Sequence, residues 1–84
     1  MSEKDFEEVF NGFKSIFKRI SGRDLSLSEL DENVLRPAIN IVLRAKRPYE
    51  EEVGALAKEV AKLTGINYDV AERIAKEFID KYKG

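Results

Sequence analysis

The sequence predicts an all-α fold, a small antiparallel bundle of three to four helices with the second kinked or split at Pro37. Three observations carry this expectation. Apolar residues recur with the 3.6-residue period of a helix along most of the chain. Gly22, Pro37, Pro48 and Gly65 interrupt that pattern with helix-stopping chemistry. Every connection is short, as antiparallel helical neighbours require, and no linker or low-complexity tract divides residues 1–84, so one domain is expected.

The first helix opens at Ser2, a cap residue with Asp5 in the capping-box position. Phe6, Val9, Phe10, Phe13, Ile16, Phe17 and Ile20 fall in an arc of about 120° at 100° per residue, and Ser21-Gly22 supplies the stop. In the second segment Ser26 can cap, Glu29 completes a capping box, and Leu25 with Leu30 stand where a hydrophobic staple would form. Leu27, Leu30 and Val34 then continue an apolar stripe up to Pro37, which removes a backbone bond and crowds the preceding turn. Residues 38–45 are the most apolar stretch. Their β-branched content allows a strand, but a lone strand among helices finds no partner, so a buried helix to about Lys46 is expected.

The third helix begins near Pro48, which suits a first helical position, with Glu50, Glu51 and Glu52 at the positive end of the helix dipole. Val53, Leu56, Val60 and Leu63 form its seam, and Gly65 ends it. The fourth opens with Asn67 or Asp69 as cap and carries Val70, Ala71, Ile74, Ala75, Phe78, Ile79 and Tyr82.

Composition narrows the chemistry. The 84 residues hold 15 Lys+Arg against 16 Asp+Glu, and no Cys, His or Trp. Disulfides, thiolate or imidazole zinc sites, Ser-His and Cys-His catalysis and imidazole acid–base chemistry are therefore excluded. The carboxylates of Glu50-Glu51-Glu52 splay around a helix instead of converging, and there is no glycine-rich phosphate loop. No enzymatic activity, cofactor, metal or small-molecule substrate is expected. No unbroken apolar run exceeds three residues, as in Ile41-Val42-Leu43, too short to span a membrane, and the acidic N-terminus is not a signal peptide, so a cytoplasmic protein is expected. Absence of Gln, with Met only as the first residue and abundant Lys and Glu, is a thermophile-like usage.

Residues 53–80 resemble a helix-turn-helix, with small Ala61 four residues before Gly65 and an apolar-led second helix. Val60-Ala61-x-x-Thr64-Gly65, with Ala71-Glu72 and Phe78-Ile79, is also similar to the helical hairpin of bacterial HU-type DNA-bending proteins. Either resemblance covers about a third of the chain and implies nucleic-acid binding. Tyr68, Arg73 and Lys76 would then lie on the reading helix, and Arg36, Arg44, Lys46 and Arg47 form a second group of candidate phosphate contacts. Residues 49–84 carry six cations against eight anions, which repels phosphates instead of collecting them.

The aromatic pattern leads elsewhere. Phe6, Phe10, Phe13 and Phe17 are spaced 4, 3 and 4, a heptad seam generous for a domain with three other helices. Small domains without staples often draw stability from a second copy. The leading expectation is a non-enzymatic interaction module, a homodimer associating through these four phenylalanines. The alternative is a small nucleic-acid-binding protein using the 53–80 hairpin.

Overall fold

The computed structural model describes residues 3–83, which form four α-helices and one 3-10 turn. They run α1 Glu3–Ser21, the 3-10 turn Leu25–Leu27, α2 Glu29–Arg44, α3 Tyr49–Thr64 and α4 Tyr68–Tyr82. No strand occurs among the described residues, so the all-α expectation holds and residues 38–44 are helix. The expected Ser2 cap lies outside the described residues.

Local chemistry sets the boundaries. Gly22 and Gly65 adopt φ of 78° and 77°, the left-handed conformation that only glycine enters without a Cβ penalty, and they reverse the chain after α1 and α3. Asn67 caps α4, its side chain accepting from the Asp69 amide at 2.8 Å. Pro48 precedes α3 as its N-cap, one position earlier than expected, and the three glutamates occupy the first turn.

The start of α2 differs from the sequence expectation. Asp24 caps the 3-10 turn, accepting from the Ser26 amide at 2.9 Å, and Ser28, not Ser26, caps α2 through the Asp31 amide. That two-residue delay rotates the helix. Leu25 is fully buried while Leu30 is 73% exposed, so the staple between them does not form. The inward face of α2 is Asp31, Leu35, Ile39 and Val42 instead of Leu27, Leu30 and Val34.

Nor does Pro37 split the helix: α2 is continuous from Glu29 to Arg44. The proline is exposed, and so is Asn33, whose carbonyl loses its intrahelical donor. Water can reach that carbonyl, which keeps the cost of the missing bond low.

The helices enclose one core. α4 packs on α3 and on α1, and α2 packs on α3. Phe10, Phe13, Phe17, Leu25, Leu35, Ile39, Leu56, Val60, Ile74 and Phe78 are all fully buried at its centre. Phe13 meets Phe78 edge-on at 5.4 Å between ring centroids, joining α1 to α4, and Phe78 lies 5.0 Å from Tyr82. Burying one such side chain contributes about 1.5–3 kcal/mol, so α1 is held mainly by its aromatic face.

Candidate interaction surface

The structure separates the sequence-derived candidates sharply. Phe10, Phe13 and Phe17 have no exposed surface, and Phe6 is partly buried against the same core. They stack along α1 at 5.9–6.1 Å and are covered from within the chain. The expectation of a self-association surface on this face is therefore corrected for Phe10, Phe13 and Phe17, which a second copy could reach only by opening the bundle, while Phe6 keeps part of its surface.

Several of the candidate phosphate contacts are occupied too. Arg36 donates to both oxygens of Glu7, to Glu32 Oε1 at 3.1 Å, and lies 4.8 Å from the centroid of the Phe10 ring. It is a clamp between α1 and α2. The hydrogen bond from Arg36 is the main cause holding the Glu7 carboxyl below the usual carboxylate range, and Glu7 in turn raises the Arg36 pKa. Arg47 donates through Nε to Glu52 Oε1 at 3.0 Å, and Lys76 sits 3.7 Å from Glu72 one turn away.

Arg44, Lys46 and Arg73 are exposed and hold no ion pair among the described residues. They are not one patch. Lys83, at the end of α4, donates to the Val42 and Ala45 carbonyls at the Arg44 end of α2, whereas Arg73 stands ten residues, or about 15 Å, earlier along α4. Arg73 lines a shallow depression with Arg19, Lys76, Glu77 and Asp80.

The helix pair at 53–80 is present, but the start of α4 presents exposed Tyr68 and Asp69 and half-buried Glu72. Tyr68 and Tyr49 flank an open groove between α3 and α4, with Glu50, Glu72 and Lys76 on its rim. The Asp80 carboxylate beside Tyr49 raises the phenol pKa, chiefly by accepting its hydrogen bond.

The surface that sequence reasoning missed is on α2. Leu27 is 86% exposed, Leu30 73%, Ile41 63% and Val34 36%, and Pro37 is exposed between them. At 100° per residue Leu30, Val34, Pro37, Ala38 and Ile41 fall within an arc of about 100° that faces solvent, beside the buried arc of Asp31, Val42, Leu35 and Ile39. Together the two arcs make α2 apolar around most of its circumference. One neighbouring helix needs much less, and that excess was the available signal. Exposed apolar residues that are contiguous, unlike ones scattered singly, are the class of surface that marks contact sites.

This stripe has a built border. Toward α3 it continues into a groove lined by Ala38, Ile41 and Val42 and rimmed by Arg47, Lys58, Glu59 and Lys62. On its other flank stand Glu29, Asn33, Asn40 and Arg44, acidic at the helix start and basic at its end. Among the described residues no three acidic side chains converge as a metal site would require, and no helix is long and apolar enough to cross a membrane. Comparison of the chain with family models, curated proteins and solved structures finds no match.

Proposed function

We propose that the protein is a non-enzymatic interaction module that acts by protein–protein contact through the outer face of α2. The observation that carries this reading is the exposure of Leu30, Val34 and Ile41 on one face of α2, with Leu27 exposed in the turn before it, while every large apolar residue of α1 is turned inward or packed against the core. A small domain has little apolar area to spare, so leaving four aliphatic side chains in water is a cost that contact with a partner removes. The balanced charge and the dispersal of Arg44, Lys46 and Arg73 favour this over nucleic-acid binding.

The test is a photoreactive side chain placed at Leu30 in the expressed protein, with the same group at exposed Asp69 of α4 as control. Adducts with protein from position 30 and not from 69 are expected. Absence of adducts at 30, or adducts with nucleic acid, would overturn the reading. Binding to duplex DNA at 50 mM salt that falls steeply with added salt and with Arg44→Ala or Arg73→Ala would establish the alternative.

A further inference from the structure

We infer that the occupant of the α2 outer face is a second copy of this chain, seated with the two α2 helices antiparallel about a twofold axis that passes between Val34 and Pro37. This rests on the reading of α2 as the contact surface and adds the identity and register of the partner.

The stripe is self-complementary when reversed. Leu30 and Ile41 stand at its ends, and Val34 and Pro37 near its middle. Antiparallel pairing seats Leu30 against Ile41 of the second copy and Val34 against its Pro37, and the same two contacts repeat across the axis. The 4, 3, 4 spacing reads the same in either direction, so reversal keeps every layer of the stripe in contact. Pro37 and Ala38 at the centre carry little side chain beyond the backbone, which lets two helices approach closely there.

Charge fixes the same orientation. Glu29, Asn33, Asn40 and Arg44 share one flank of the stripe, and in antiparallel helix pairs like flanks face each other. Reversal therefore brings Glu29 to Arg44 of the second copy, and Asn33 to its Asn40. Glu29 is exposed and, like Arg44, holds no ion pair among the described residues, so both ends are available. In a parallel pair opposite flanks face each other, so Glu29 and Arg44 would turn toward the α3 side of the second copy and lose this pairing. Of the other cations near the stripe, Arg36 is held by Glu7 and Glu32, and Arg47, Lys58 and Lys62 lie with Glu59 on the α3 side, across the stripe from the Glu29 flank.

The experiment is sedimentation equilibrium of the purified full chain, with photocrosslinking at position 30 to read the register. A reversible dimer is expected, with covalent adducts from position 30 mapping to Ile41 of the other copy or within one turn of it. Leu30→Glu should weaken association about 100-fold or more while the circular dichroism and melting of the monomer stay unchanged, since the side chain is already in water. Glu29→Arg and Arg44→Glu should each weaken it about threefold, and the double reversal should recover it.

A chain that remains monomeric at millimolar concentration overturns the inference, as does a dimer insensitive to Leu30→Glu. Adducts joining position 30 to position 30 overturn the antiparallel register. A monomer whose position 30 still crosslinks to a different protein in cells refutes the second copy and leaves the contact surface standing. A monomer with no adduct at all refutes both.

Discussion

Lys83 Nζ lies 3.4 Å from Glu52 Oε1 and donates to the Val42 and Ala45 carbonyls at 2.8 and 2.7 Å. One ammonium group thus satisfies two acceptors at the end of α2, where helical carbonyls have no intrahelical donor, and helps neutralise a glutamate that is only 2% exposed. The end of α4 is thereby tied to the end of α2 and the start of α3. Arg47 completes the arrangement from the α2–α3 connection, while Glu52 Oε2 has no hydrogen-bond partner among the described residues.

Lys83→Met is therefore expected to cost about 2–3 kcal/mol, because it strands the carbonyls and leaves a buried carboxylate with Arg47 alone. Adding Glu52→Met should cost less than the two single changes summed, since the uncompensated charge is removed with its partner. Urea unfolding checks this through midpoints at constant slope. Strict additivity would show that the contact carries no coupling.

Gly12 of α1 sits directly against the Tyr82 ring of α4. A Cβ there would overlap Tyr82 Oη and stand 2.6 Å from Cζ, so the ring would have to leave its place against Phe78. Helix propensity alone favours alanine by about 1 kcal/mol, so the sign of the change is informative. Gly12→Ala is expected to destabilise by about 1–2 kcal/mol, and to become neutral or favourable in a Tyr82→Ala background. Gly54, in α3, has nothing within 4 Å of its added Cβ, and Gly54→Ala should stabilise by about 0.5–1 kcal/mol. Thermal melts of the four variants distinguish the two sites.

Core and contact surface should respond in opposite ways. Phe13 is fully buried and edge-on to Phe78, and Phe13→Ala is expected to cost about 3–5 kcal/mol of folding stability. Leu30→Ser, at a residue 73% exposed, should change monomer stability by less than about 0.5 kcal/mol. Denaturation at micromolar protein separates them. A large loss from Leu30→Ser under conditions where the chain is monomeric would mean that the α2 stripe is held within the fold.

The helices were legible in the sequence because periodicity and end chemistry agree at most of them: Ser21-Gly22 stops α1, Gly65 stops α3, and Asn67 caps α4. The face of α2 was not. Its two arcs, Leu35-Ile39-Val42 and Leu30-Val34-Ile41, are equally apolar and share the same period, so patterning cannot choose between them. The choice falls to Ser28 and the 3-10 turn before it, which swing Leu25 inward and Leu30 out. The phenylalanine heptad misled for a related reason. Its spacing is that of a seam, but α4 supplies Phe78 and Tyr82 as the matching surface, and nothing in α1 alone reveals that partner. Arg36 likewise reads as a free cation until the fold brings Glu7 to it from 29 residues away.

That last pair sets an acid limb to stability. The Arg36 hydrogen bond lowers the Glu7 pKa from its ordinary 4.5, so the folded chain binds this proton less readily than the unfolded one. The associated stabilisation is fully present above the ordinary value and is lost as pH falls through the lowered folded-state pKa. Asp24 behaves alike, lowered from 3.8 chiefly by the Ser26 amide. Glu7→Gln should therefore lower the melting temperature at pH 7, and the deficit should shrink as pH falls through the lowered folded-state pKa. Arg36→Met should flatten the same limb and further destabilise at all pH values, because its guanidinium also covers Phe10 and pairs with Glu32. Melting temperatures across the acid limb test this directly; a Glu7→Gln deficit that does not shrink as the pH is lowered would show that the side chain acts through packing and not through its charge.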